Sequence, residues 1–506
     1  MNKSGGAGLV VATIAAIALA AFGMIRGTWS VGGSDSSCYA LSALAMARGQ
    51  LQPSSALAVE APWPNAPLTQ APGGFIPSPV RPDAASPICA PGMAVLMAPF
   101  AAIFGRDAIF VLVPLSGGLL VLAAFALGQR LAGAAAGALS AVLVASSPIV
   151  LYQVVQPMND VLTAALWMSA FAFIVYRRGT PAGLLAGLAV LVRPNLAPLL
   201  AVVALIPMVV RQDRAARTIA LTLAAAVPGI GVMLYLNNAL YGSVVASGYG
   251  DATQLFSPGN VGENAANFSR ALFETHTIVP AIALVAPLLL TGDARRLSCA
   301  LLAAAAVVAG IYLLYRPYPE WWYLRFLMTA IVLLLILASA VLAQAASRWR
   351  MGGVLPIAAV VLAISGLRAA GEHQVFELQR LEGRYRETAR VVDDRLPPNA
   401  VVITVWQSGS VRFHADRDAV MWDALDPAWL DGAVAWLSSR GLRPYLLFER
   451  REENEFRARF EGRSELGALD WPPRFDMNRQ VRIYDPADRA RYLAGDDYAT
   501  DNIRPR

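Results

Sequence analysis

Apolar runs long enough to cross a bilayer recur from residue 8 to residue 367, separated by short polar gaps, and beyond 367 they stop. A helix rises about 1.5 Å per residue, so roughly 20 apolar residues are needed to cross about 30 Å of hydrocarbon. On that measure we place eleven spans, at 8–25, 107–127, 134–150, 161–177, 181–192, 194–210, 216–236, 277–291, 297–315, 326–346 and 353–368. The first could pass for a cleaved signal peptide, with Lys3 ahead of it and Ala18-Leu19-Ala20 as a cleavage-like site. We read it as a retained anchor because the apolar stretch runs on past that site. The spans 181–192 and 194–210 are short, so we expect a hairpin whose tip, Val192-Arg193-Pro194-Asn195, lies in a protein cavity. An arginine at that depth needs an anionic partner, or it must snorkel to the headgroups.

After residue 367 charged residues, prolines and tryptophans mix as they do in a water-soluble domain. Strand-like runs at 401–405, 445–449 and 481–484 and a helical pattern near 427–440 predict an α/β domain. The chain therefore reads as an all-α polytopic membrane domain over 1–368, with about eleven helices, followed by an α/β domain over 369–506.

Composition narrows this further. Of 506 residues, 56% are hydrophobic and 15% charged, which a soluble globule would reconcile only with an implausible number of fully apolar core helices. The net charge of +6 and pI near 9.3 do not point to nucleic acid, because the arginines sit in gaps between apolar runs. With the N-terminus inside, every inner gap is basic: Arg130, then Arg177 and Arg178, then Arg211, Arg214 and Arg217, then Arg295 and Arg296, then Arg348 and Arg350. An odd number of spans then puts the α/β domain outside a cell (inner) membrane. Three cysteines without a Cys-x-x-Cys and three scattered histidines form nothing that resembles a zinc or iron–sulfur site. We read Cys38 and Cys89 as two free thiols, a disulfide remaining open in an oxidising compartment, and Cys299 as a helix-packing residue.

Candidate chemistry gathers in the outer segments. Asp35, in Gly32-Gly33-Ser34-Asp35-Ser36-Ser37-Cys38-Tyr39, follows the first span directly. It is either the N-cap of a helix starting near Ser36 or a carboxylate placed to meet a lipid-borne and a water-borne substrate together. Asp160, after the outer stretch 152–159, is either a helix cap with Asn159 or a second acid. The run Arg316-Pro317-Tyr318-Pro319-Glu320-Trp321-Trp322-Tyr323-Leu324-Arg325-Phe326 contains the aromatics of an interfacial belt, but a belt does not account for its arginines and Glu320. Guanidiniums there could hold a phosphate and the flat rings could stack on sugars. The apolar stretch 93–104 is short, and we read it as lying along the membrane surface.

Several motifs in order, Gly33-Ser34-Asp35 with Tyr39 and Ala40, the 91–105 stretch ending in Phe104-Gly105, Ser147-Pro148 followed by Asp160, Gly183 to Leu188 running into Arg193-Pro194, and Tyr323-Leu324-Arg325-Phe326, cover residues 7–346. In these the chain resembles the membrane glycosyltransferases of the GT-C fold, in particular the protein O-mannosyltransferases and bacterial lipid A aminoarabinose transferases. It departs from them at Ser36, where many relatives carry a second acid, and at Ser86-Pro87-Ile88, where they carry a basic-proline-proline run. The resemblance implies transfer of a hexose or pentose from a polyprenyl-phosphate donor to a glycan, lipid or protein acceptor on the outer face. It implies Asp35 as general base, Asp160 as a catalytic acid that orients the acceptor or shares a divalent cation, and Arg193, Arg325 and Arg316 on the phosphate. Tyr39, Glu320, Trp321, Trp322 and Tyr323 would line the substrate. A transporter or flippase also fits the broken spans at Arg193, although no internal repeat is found. A glycan-binding scaffold would need eleven spans merely as an anchor.

Overall fold

Each apolar stretch singled out above is largely helical in the computed structural model, which describes residues 3–496 and 499–503. Among the described residues six helices are long and apolar enough to cross a membrane: Gly6–Arg26, Arg106–Ala145, Ala215–Tyr241, Gly292–Leu313, Trp321–Arg348 and Val354–Glu372. Two bent pairs raise this to as many as eight, Pro148–Val154 with Asn159–Val175 at 117° and Pro258–His276 with Val279–Leu289 at 101°. The protein is a multi-pass membrane protein. The expected spans 107–127 and 134–150 fall on one long helix that breaks at Ala132 and at Gly133, whose φ of 83° requires a residue without Cβ. The expected hairpin is there, as Gly179–Val192 and Pro198–Val209 joined through Arg193 and a short 3₁₀ turn at Pro194–Leu196.

The chain divides into two compact units, each discontinuous in sequence. The first is Met1–Thr28, Phe110–Tyr235 and Gly250–Gln379; the second is Trp29–Ile109, Leu236–Tyr249 and Arg380–Arg506. This is a different partition from the sequence boundary at 368/369. The reason is visible in the core of the second unit, where Leu57, Trp63 and Ala66 pack among Val401, Leu446 and Phe456. Trp63 meets Trp436 edge to face at 5.5 Å, and Met421 N–H donates to the Thr69 carbonyl at 2.7 Å. Composition along the chain cannot register that a stretch near residue 60 completes a core built near residue 430.

In the first unit close helix packing rests on glycine. Gly179, Gly183 and Gly187 recur every fourth residue along one helix face and lie against Thr218, Thr222 and Ala226 of Ala215–Tyr241. A Cβ on Gly183 would collide with the Thr222 carbonyl, so the two backbones can approach only because the face is bare.

In the second unit a short antiparallel pair, β1 (Phe75–Pro77) and β2 (Ala85–Pro87), returns the chain to the helix Gly33–Ala47. Cys89 is thereby brought to Cys38, with Cα atoms 6.2 Å apart, and the two form a disulfide. This corrects the reading of two free thiols, since a spacing of 51 residues says nothing about the hairpin that closes it. Cys299, expected to pack, is a free and exposed cysteine.

The α/β region forms a sheet of β3 (Ala400–Ile403), β4 (Asp418–Val420), β5 (Arg443–Glu449), β6 (Phe475–Met477), β7 (Val481–Tyr484) and β8 (Asp501–Ile503) in the order β4-β3-β5-β7-β6-β8. β4, β3 and β5 are parallel; β7 runs antiparallel to β5. Strand alternation sends Val401, Ile403, Leu446 and Phe448 to one core and Val402, Tyr445 and Leu447 to the other. The sheet thus carries an apolar layer on both faces.

Candidate active site

The hairpin tip supplies the first half of a charged cluster in the first unit. Arg193 caps Gly179–Val192 with φ −143° and ψ 83°, and Pro194 cannot continue the helix, so the side chain leaves the hairpin at its turn. Its Nη1 donates to Asp160 Oδ1 at 2.6 Å. Asp160 is fully buried and Arg193 is 13% exposed, so the guanidinium does not snorkel. Asp160 Oδ2 lies 4.0 Å from Arg325 Nη1 and accepts no hydrogen bond among the described residues. Two guanidiniums thus share one carboxylate. Removing one partner of such a buried pair costs about 3–5 kcal/mol, because the other charge is left uncompensated.

Aromatic rings fix the guanidiniums in place. Tyr312 and Phe326 stack at 5.1 Å, and Arg193 lies 5.6 and 5.7 Å from their centroids. Arg325 lies 5.1 Å from Phe326 and 5.6 Å from Tyr323. Asn195 Nδ2 donates to the Tyr312 hydroxyl at 2.8 Å, tying the hairpin turn to the same ring. Cation–π attraction at partly desolvated sites adds to the ion pairs in limiting the rotamers open to both arginines. The result is a pair of guanidiniums held between one carboxylate and three aromatic rings.

Asp160 does not cap its helix. The N-cap of Asn159–Val175 is Met158, with no side-chain cap, and Asn159 Nδ2 donates to the Val192 carbonyl at 3.3 Å. As a cation ligand Asp160 would offer a single carboxylate flanked by two guanidiniums. Among the described residues no group of three or more His, Cys, Asp or Glu side chains is placed to hold a metal ion.

Of the remaining expected residues of this unit, Tyr323 joins the cluster through Arg325. Arg316 and Glu320 are exposed. Trp321 packs edge to face on Tyr152 at 5.0 Å and beside His373 at 4.6 Å, and Trp322 is stacked on Tyr152 at 6.4 Å. Tyr323 stacks on Tyr318 at 4.1 Å. Sequence reasoning missed Tyr312, whose ring faces Arg193, and Asn195, which donates to that tyrosine's hydroxyl. The only signal was their type: an amide directly after Arg-Pro, and a tyrosine at the end of an apolar helix.

Asp35 belongs to the second unit. Its helix is Gly33–Ala47 and starts three residues earlier than expected, with Gly32 as N-cap and no side-chain cap. Asp35 is therefore a partly exposed first-turn residue and not the cap, which corrects the capping alternative. Gly33, at φ 74°, lets the chain swing into the helix. Tyr39, one turn on, is buried. The start of the helix is held from several sides: the disulfide at Cys38, the Gly73 N–H donating to Ser408 Oγ at 3.0 Å, and the Val31 N–H donating to His414 Nε2 at 3.2 Å. Burial, with Arg386, Arg106 and Arg390 nearby, pushes His414 down to about 3, so it stays a neutral acceptor for Val31.

No family model and no curated protein matches the sequence. Solved structures match its fold. ArnT from Cupriavidus metallidurans in the apo state aligns over 94% of this chain and 98% of its own, with a TM-score of 0.62 and 13% identity. The same protein bound to undecaprenyl phosphate gives 0.60 over 93% and 97%, again at 13% identity. The archaeal oligosaccharyltransferase AglB from Archaeoglobus fulgidus, in complex with an inhibitory peptide and a dolichol-phosphate, gives 0.52 at 12% identity over 89% of this chain and 70% of its own. The chain has the GT-C fold, the fold of these membrane glycosyltransferases.

Proposed function

We propose that this protein is a membrane glycosyltransferase that moves a sugar from a polyprenyl-phosphate donor to an acceptor hydroxyl on the outer face of the membrane, with inversion. The observation that carries the reading is the pair of guanidiniums, Arg193 and Arg325, mounted on Asp160 and the stacked Tyr312 and Phe326. Solved relatives in fold bind undecaprenyl phosphate and a dolichol-phosphate. A phosphodiester monoanion would pair with the two guanidiniums. As the anomeric C–O bond to phosphate breaks, its electron pair leaves with the phosphate and the two guanidiniums meet the added charge. The acceptor oxygen bonds to the anomeric carbon from the opposite face and its proton passes to Asp35. Asp160 acts through the arginines: it fixes them and reduces their net charge to a level that still releases product. The positive-inside pattern and the eleven apolar segments support eleven crossings, with the α/β domain outside an inner membrane.

The test is release of polyprenyl phosphate from labelled polyprenyl-phosphate sugars by the purified full-length protein. Asp35→Asn should lower transfer at least about a hundredfold with donor binding retained, whereas Arg325→Gln should weaken donor binding itself. Wild-type transfer by Asp35→Asn would remove the base. Passage of an intact lipid-linked sugar across proteoliposomes without release of phosphate would make the protein a flippase.

A further inference from the structure

The second unit has a polar centre that the mechanism above does not use. β3 and β5 are parallel neighbours, yet their following helices go to opposite faces of the sheet. Ser408–His414, after β3, gives Val411 to the core containing Val402 and Tyr445; Arg450–Phe460, after β5, gives Phe456 and Phe460 to the core containing Val401 and Leu446. Between two such diverging connections, at the carboxyl ends of parallel strands, α/β sheets bind their ligands.

The side chains there are of mixed chemistry. Glu449, at the end of β5, accepts from Gln407 Nε2 at 2.9 Å and from Arg384 Nε at 3.3 Å. Arg384 Nη1 also reaches Glu382 Oε1 at 3.4 Å, and its guanidinium stands 4.2 Å from the Tyr385 centroid. Trp406, next to Gln407, is 44% exposed and stands outside the core in which Trp63, Trp422 and Trp471 are buried. The cluster adjoins the segment that carries Asp35. A Cβ on Gly32, the N-cap of that helix, would fall 2.6 Å from Glu382 Oε2, and Ser30 Oγ donates to the Glu382 carbonyl at 3.0 Å.

We propose that this polar cluster, with the exposed Trp406 beside it, is the acceptor subsite and that the acceptor is a neutral saccharide, an inference that rests on the glycosyltransferase reading. Two carboxylates accept hydrogen bonds from adjacent hydroxyls, the guanidinium donates to ring or hydroxyl oxygens, and the indole offers a flat face to the apolar side of a pyranose. Two carboxylates against one guanidinium leave a formal negative charge, which disfavours anionic acceptors. The subsite sits where a bound hydroxyl comes next to the first turn of the Asp35 helix.

The experiment uses the full-length protein in detergent with a polyprenyl-phosphate sugar as donor and, as acceptors, mannobiose, a uronate-containing disaccharide and a serine-containing peptide. Trp406→Ala and Glu382→Gln should each raise the KM for the neutral disaccharide about tenfold while donor KM and acceptor-independent donor hydrolysis stay within about twofold; Trp406→Phe should restore it. Saturation-transfer NMR of mannobiose should show binding to the wild type that Trp406→Ala loses. An unchanged acceptor KM in both variants, transfer to the peptide or uronate alone, or absence of saturation transfer to the wild type would overturn the subsite. Failure of the transferase reading looks different: no phosphate release with any acceptor, whatever the NMR gives.

Discussion

At the scale of single residues, a charged side chain in this protein is defined by its partner. Asp160 was legible as an acid at a helix start, but its position in sequence could not reveal that Arg193, 33 residues on, takes one of its oxygens and Arg325 faces the other. Arg193 itself was legible, because a short hairpin cannot bury an arginine without a counter-ion. Glu452 makes the same point in the α/β region. It is fully buried, accepts from Trp422 Nε1 at 2.8 Å and the Val405 N–H at 2.7 Å, and burial outweighs these bonds to push it up to about 7. A carboxyl with a raised folded pKa stabilises fully below its unfolded value near 4.5 and loses that contribution as pH rises through about 7. His414, lowered from 6.5 to about 3, works in the opposite sense: its contribution is present above 6.5 and lost as pH falls toward 3. Between pH 4.5 and 6.5 the two slopes oppose each other. In thermal unfolding of the full-length protein across that window, Glu452→Gln should make stability rise more steeply with pH than in the wild type, and His414→Asn should make it fall more steeply. Identical slopes in all three proteins would show that neither group titrates as its surroundings dictate.

At the scale of elements, bare helix faces and loop closures decide what can touch. The Gly183–Gly187 spacing marked a packing face in sequence, and its partner is Ala215–Tyr241. Gly183→Leu must force that helix away from Thr222, at about 1–3 kcal/mol or more for the overpacking, with a lower melting midpoint and aggregation on size exclusion. Gly231→Ala, in the same long helix but with open space around it, should behave as wild type. Equal behaviour of the two variants would mean that the close approach contributes nothing. The start of the expected helix at Gly33 rather than near Ser36, and the hairpin that brings Cys89 to Cys38, were hidden for a common reason: both depend on backbone turns and tertiary pairing with no hydrophobic period to announce them.

At the scale of the whole molecule, the arginine pattern predicts sidedness. In a background with Cys299→Ser, which removes the exposed free thiol, a cysteine at Gly462 should react with an impermeant maleimide in intact cells and one at Arg214 should not. The reverse labelling would place the α/β domain inside and take from the proposed chemistry its outer-face logic.

The sequence by itself determined the membrane class, the apolar segments and a folded α/β region near the C-terminus, and it singled out Asp35, Asp160, Arg193 and Arg325 as candidates. These follow from local quantities, namely hydropathy over about 20 residues, the sign of the charges between spans, and short motifs in order. Tertiary structure alone decided that Asp160 binds both arginines, that Tyr312 and Asn195 support them, that Cys38 and Cys89 are joined, and that residues near Trp63 finish a core built 370 residues later. Each is a contact between segments far apart in the chain, where the energy resides in burial and pairing that no local pattern records.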